Sequence, residues 1–198
     1  MPVQRKAAVI SADVIGSSLM SAAARKKMQA EIDSFYKQAS GQWPDLQLQQ
    51  YRGDSLQAIL LTNRFAALRV ALLLQSALLV KKFRIRVAIG TGEISFQGKN
   101  IITSDGSAFR ASGPYLDALR KSSEVISVAG NDDAFTSEWQ THSASLNYII
   151  ERWSAQQAEA VQLQLQGLTQ QKMARKLKIK QPSVHQRLQG AGWPGAQK

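Results

Sequence analysis

The chain has 198 residues and a formal net charge of +11, from 25 Lys and Arg against 14 Asp and Glu. It contains no cysteine, which excludes disulfides, thiolate metal sites and cysteine nucleophiles. Its apolar fraction of 44% is that of a soluble core, and its length accommodates one full domain with a small appendage.

Residues 7–15 form a β-rich apolar run that ends at Gly16-Ser17-Ser18, the signature of a buried strand feeding a turn. Residues 21–39 have helical spacing, with Met28, Ile32 and Phe35 near one face, and Gly41 and Trp43-Pro44 end the segment. Residues 46–51 and 56–61 read as two strands joined by the hairpin turn Arg52-Gly53-Asp54-Ser55. Residues 64–81 are an apolar helix. Residues 83–89 alternate, and Gly90 and Gly92 are expected to loosen the end of that strand or to mark a bulge. A loop over 97–106 precedes a helix over 108–122, in which Gly113-Pro114 predicts a bend or a fresh helix start. A short strand over 124–129 and a long amphipathic helix over 133–153 follow.

The order is β-α-β-β-α-β, then α-β-α. Two crossovers flanking a hairpin make a ferredoxin-like α/β arrangement. The expected division is a sheet domain over 1–153 and a helical module over 154–198. Residues 154–167 are rich in Ala and Gln, but Ala158, Val161, Leu163 and Leu165 give them a buried side, so they read as the module's first helix. Asp13 interrupts the first apolar run and no helical h-region follows, so no signal peptide is expected. The longest apolar stretch, 65–80, is too short and too polar to span a bilayer. A cytoplasmic protein without a membrane partner is the expectation.

The charge is concentrated at the C-terminal end, where residues 160–198 hold seven basic residues and no acid. Such a segment implies a polyanionic partner, with nucleic acid ahead of anionic lipid. Residues 168–188 read as two short helices around a tight turn, the outline of a helix-turn-helix. Ala174 allows close helix crossing, Leu177 and Ile179 fill the core, Pro182 suits a first helical turn, and Val184 and Leu188 face inward. That leaves Gln181, Ser183, His185, Gln186 and Arg187 to face outward, where Gln and Arg can read base edges of double-stranded DNA. Lys172, Arg175, Lys176, Lys178 and Lys180 can contact phosphates. The spacing of Ala174, Leu177-Lys178-Ile179, Ser183-Val184 and Arg187-Leu188 resembles the helix-turn-helix of sigma-factor region 4, with Lys178 in place of the favoured turn glycine.

In the sheet domain, Asp13 ends the first strand and Asp54 lies in the hairpin turn. With the first strand beside the third, these ends can meet. Two carboxylates brought together call for a cation, and Mg²⁺ or Mn²⁺ with a nucleoside triphosphate would suit. Gly16, Ser17 and Ser18 open a helix whose backbone N–H groups can hold a phosphate. For either aspartate alone, turn capping is the simpler reading.

The segments SADVIGSS, YRGDS, RIRVAIGTGEI and SDGSAFRASG resemble the successive motifs of class III nucleotidyl cyclases, over about residues 5–130. Joined to the C-terminal helix-turn-helix, the whole resembles the SatD family. This resemblance implies a cyclase-like palm fused to a DNA-binding module, with Asp13 and Asp54 in the metal positions and Ile15-Gly16-Ser17 in the phosphate loop. Gln50 stands at the position that cyclases use to select a base. Arg110 and Pro114 stand where they carry an Asn and a transition-state Arg, so rapid cyclisation is not expected unless Arg110 or Arg120 supplies the missing cation from another turn. The leading expectation is a homodimeric DNA-binding regulator whose palm senses a nucleotide or a divalent metal. The alternatives are a two-metal nucleotidyl cyclase or related nucleotide-processing enzyme, and a scaffold in which both sites are vestigial.

Overall fold

The computed structural model describes residues 5–51, 53–94, 100–101 and 104–193. Arg52 and much of the expected 97–106 loop lie outside the described residues. Five strands, β1 (Arg5–Val14), β2 (Gln47–Tyr51), β3 (Ser55–Leu60), β4 (Ile85–Ile94) and β5 (Ile126–Ala129), form one sheet in the order β2-β3-β1-β4-β5. β1 lies at its centre, antiparallel to β3 and β4, while β5 runs parallel to β4. This is a mixed α/β fold on a ferredoxin-like sheet, as the element order predicts.

The central strand is buried on both faces. Ala8, Ile10, Ala12 and Val14 face a thick helical layer, whereas Ala7, Val9, Ser11 and Asp13 face the other side. The thick layer holds α1 (Ala22–Gln42), α2 (Ala67–Val80) and α4 (Asp133–Ile150). Met28, Ile32, Phe35 and Ala39 of α1 are buried there, and the Ser21 hydroxyl caps the helix by accepting from the Ala24 N–H at 3.2 Å. Leu78 of α2 is fully buried, a burial worth about 1.5–3 kcal/mol for a leucine.

On the opposite face, α3 (Ser107–Arg120) rests directly on β4. A Cβ added at Gly90 would lie 2.2 Å from the Ala108 carbonyl oxygen, and one at Gly92 would lie 2.8 Å from the Ala108 nitrogen. Gly90-Thr91-Gly92 therefore does not loosen the strand, which runs unbroken to Ile94. The two glycines let helix and strand backbones approach. Gly113-Pro114 likewise does not split α3, which continues through both residues.

Asn147 of α4 closes the free edge of β5. Its side-chain oxygen accepts from the N–H groups of Val125 and Ile126 at 2.8 Å, and its amide donates to the Ile126 carbonyl at 2.9 Å. A polar residue in the helical interior thus stands in for a missing strand.

The C-terminal helices are α5 (Ala155–Leu165), α6 (Gln170–Leu177) and α7 (Gln181–Gly190). A reciprocal capping box of Ser154 and Gln157 starts α5. α5 packs along α2, and the buried apolar cluster runs without a break from Ala8 to Leu188. Arg69 of α2 donates to the Leu165 carbonyl, through Nε at 2.9 Å and through a second guanidinium nitrogen. Trp153 donates from Nε1 to the Ala191 carbonyl at 2.8 Å. Among the described residues no helix is long and apolar enough to cross a membrane.

Candidate functional site

The sequence motifs converge on two regions, the end of β1 and the C-terminal helices. At the end of β1, Asp13 pairs in register with Ser55 on one side and with Arg86 on the other. The Val14 N–H donates to the Asp54 carbonyl at 3.1 Å, so the expected meeting of strand end and hairpin turn occurs.

Both carboxylates contact other side chains of the chain. Asp13 is only 7% exposed, and its Oδ2 accepts from Arg120 Nε at 2.6 Å. Among the described residues its Oδ1 has no hydrogen-bond partner, but an Arg86 guanidinium nitrogen lies 3.5 Å away. The hydrogen bond to Asp13 raises the pKa of Arg120, outweighing the desolvation that lowers it. Arg120 also pairs with Asp117 at 2.8 Å. Asp54 accepts a hydrogen bond from the Ser17 hydroxyl. Each carboxylate already has a partner, and two guanidiniums supply positive charge beside Asp13. A cation held between the two aspartates would compete with these guanidiniums for Asp13. Among the described residues no group of three or more His, Asp or Glu side chains gathers elsewhere.

Gly16 adopts a left-handed φ of 71° and turns the chain from β1 into a 3-10 turn over Ser17–Leu19. The N–H groups of Ser17 and Ser18, at the start of that turn, have no acceptor within it. Ile15 is held by its N–H to the Arg84 carbonyl at 2.9 Å. Gln50 donates its side-chain amide to the Gly53 carbonyl at 2.5 Å, which turns it onto the hairpin. Arg110 pairs with Asp105 at 3.0 Å at the opposite end of α3 from Arg120. Ten residues of helix separate them by about 15 Å. Within this chain Arg110 therefore does not join the Asp13 cluster; of the two arginines considered as compensating cations, Arg120 is the one at Asp13. Arg86 is the partner that motif reading misses, and the antiparallel register of β1 and β4 is the signal that finds it.

α6 and α7 are short helices joined by a tight turn. Thr169 caps α6, and Lys178 ends it in the left-handed conformation, with φ 54° and ψ 42°. The Ile179 N–H then closes onto the Ala174 carbonyl at 3.1 Å. Met173, Ala174, Val184 and Leu188 are buried at the crossing. Lys172, Arg175, Lys176, Lys178 and Lys180 are exposed, as are Gln181 and Gln186, whereas Ser183 and His185 are half-buried. Gln181 donates its amide to Gln170 at 2.6 Å. Arg187 departs from its expected outward role: it turns back to Glu159 of α5, 3.2 Å away, with a side chain 20% exposed.

No protein-family model matches the chain, and no curated protein matches it. Among solved structures, that of a bacterial light-regulated adenylyl cyclase is similar, with a TM-score of 0.51 and 13% sequence identity over 64% of this chain and 77% of that one. At this identity the likeness identifies the fold. The sheet domain shares its ferredoxin-like mixed sheet with that structure and carries a helical extension.

Proposed function

We propose that the chain is a DNA-binding regulator in which a cyclase-type palm carries a helix-turn-helix. The observation that carries this reading is the exposed basic ridge of Lys172, Arg175, Lys176, Lys178 and Lys180 beside the exposed Gln186 on α7. The ridge can neutralise backbone phosphates, which supplies affinity without sequence preference. Gln186 supplies a side chain able to form two hydrogen bonds with a base edge. The palm serves as the dimerising and effector-sensing body, and two copies would set recognition helices about 34 Å apart on one face of a duplex.

A binding selection from random duplexes, followed by fluorescence anisotropy at several salt concentrations, tests the proposal. Alanine at Lys172, Arg175 or Lys176 is expected to weaken all sequences alike and to lower the salt slope by about one each. Gln186→Ala is expected to cost about 1–3 kcal/mol on the selected sequence and to relax the preference at one base pair. A palindromic selected site would report the dimer. Failure of duplex DNA to associate even in dilute salt refutes the reading.

The second reading is a nucleotide-processing enzyme. It is favoured by the meeting of Asp13 and Asp54 at one end of a cyclase-type sheet. For metal and triphosphate to bind between them, Arg120 and Arg86 would have to leave Asp13. Incubation with each nucleoside triphosphate and Mn²⁺ decides it: product formed by the native chain and lost in Asp54→Ala establishes the enzyme. If the palm instead senses the nucleotide, ATP or GTP with Mg²⁺ shifts operator affinity without turnover.

A further inference from the structure

At the opposite end of the sheet from Asp13, the thick helical layer leaves part of the sheet uncovered. A cavity of about 530 Å³ opens there, between the first turns of α2 and α4. Pockets that hold small molecules span about 300–1,000 Å³ and are lined mainly by apolar and aromatic groups. The floor here is Ile89 and Val128, and the walls are Leu68 of α2 with Phe135 and Trp139 of α4. The two aromatic rings lie 6.0 Å apart. At the mouth, Phe65 is 86% exposed, with the Arg64 guanidinium 4.4 Å above its ring.

The charges around the mouth are sorted by side. Arg64 belongs to the 3-10 turn that contacts β1, and Lys6 lies on β1 itself. Glu93 lies on β4, and Asp132 follows β5. Since the sheet order is β1-β4-β5, the cations flank one side and the carboxylates the other. Lys6 and Glu93 are register partners, yet neither they nor Arg64 makes an ion pair among the described residues. Asp132 is occupied, since it caps α4 by accepting from the Ala134 N–H at 2.8 Å.

We propose that this cavity binds a zwitterionic aromatic small molecule, of the chemistry of an aromatic amino acid. The ring lies over Ile89 and Val128 against Trp139, the carboxylate faces Lys6 and Arg64, and the ammonium faces Glu93. Adjacent strands are about 4.8 Å apart, a spacing suited to a carboxylate and an ammonium carried on one carbon. A wholly apolar ligand would leave the sorted charges unused. A simple anion would face Glu93, and a simple cation would face Lys6 and Arg64. The proposal is independent of DNA binding, because its readout is the small molecule alone.

Isothermal titration of the full chain with L-tryptophan, tryptamine and indole-3-propionate tests it. L-Tryptophan is expected to bind saturably at one site per chain, and the two probes that each lack one charge are expected to bind roughly tenfold more weakly. Glu93→Gln is expected to weaken L-tryptophan and tryptamine to a similar extent while sparing indole-3-propionate. Ala67→Trp, which fills the cavity, is expected to abolish binding of all three. Circular dichroism checks that it folds, and if it does not, the Glu93→Gln comparison decides alone. Equal binding of the three probes, no saturable binding of L-tryptophan, no effect of Glu93→Gln, or undiminished binding to a folded Ala67→Trp chain overturns the proposal.

Discussion

Charged side chains in this molecule take their roles from neighbours distant in sequence. Arg187, expected from the sequence to face outward, is neutralised by Glu159 from 28 residues away. Glu159→Gln is expected to raise affinity for a selected duplex several-fold, because it frees Arg187 and removes a carboxylate near the phosphates. Arg187→Ala is expected to cost less affinity than Gln186→Ala, and anisotropy titrations of the three variants check the ranking. Asp45 offers a separate test against pH. Burial pushes its pKa up, but hydrogen bonds from the Asn63 side chain and from the N–H groups of Asn63 and Thr62 outweigh this and hold it below its ordinary value. Between the folded and unfolded pKa values the unfolded chain binds more protons, so stability there rises with pH. The contribution is complete above the unfolded value and disappears as pH falls through the folded one. Asp45→Asn is expected to flatten that acidic limb in denaturant titrations run across the carboxylate range.

At the scale of elements, close backbone approaches and edge satisfaction hold the pieces in place. Gly90→Ala would drive a Cβ against the backbone of α3, and such overpacking costs about 1–3 kcal/mol. The effect is expected in the denaturant midpoint, and displacement of α3 would also loosen the contact between Arg120 and Asp13. Lys178→Gly should act in the opposite direction. A left-handed residue other than glycine costs roughly 1–2 kcal/mol, so relief of that strain, less the entropy glycine loses on folding, is expected to raise the melting temperature slightly. Asn147→Ala leaves two N–H groups and a carbonyl at β5 without partners, and at about 1–3 kcal/mol for a buried unsatisfied group it should rank among the most damaging single changes.

Across the whole molecule, the C-terminal helices and the palm share one buried cluster. Arg69 clasps the end of α5, one residue beyond Leu68, which lines the α2 wall of the cavity. The cavity wall and the contact that holds α5 therefore lie on the same turn of α2. The 198-residue chain is expected to unfold in one thermal transition, with circular dichroism and tryptophan fluorescence coincident. A chain ending at Trp153 would expose the α2 surface that α5 covers, and a lowered melting temperature or aggregation is expected rather than an intact palm. Palm stability unchanged by that truncation would show two independent units.

Much of the architecture is legible in the amino-acid order alone. Hydrophobic periodicity of two and of 3.6 marks the strands and helices in their observed sequence, and the spacing around Ala174 and Pro182 marks the two short helices α6 and α7 with their tight turn. Local sequence determines these features because each depends on residues a few positions apart. Gly90 and Gly92 show where local reasoning ends, since their lack of a side chain looks like weakness in a strand until α3 is laid across it. The partners of Asp13 are beyond such reasoning as well. Arg120 reaches it across 107 residues and Arg86 through strand register, and only the assembled sheet brings those groups within hydrogen-bonding or Coulombic range. The cavity between α2 and α4 has the same origin: residues with no shared motif line it because two helices begin at the same end of one sheet.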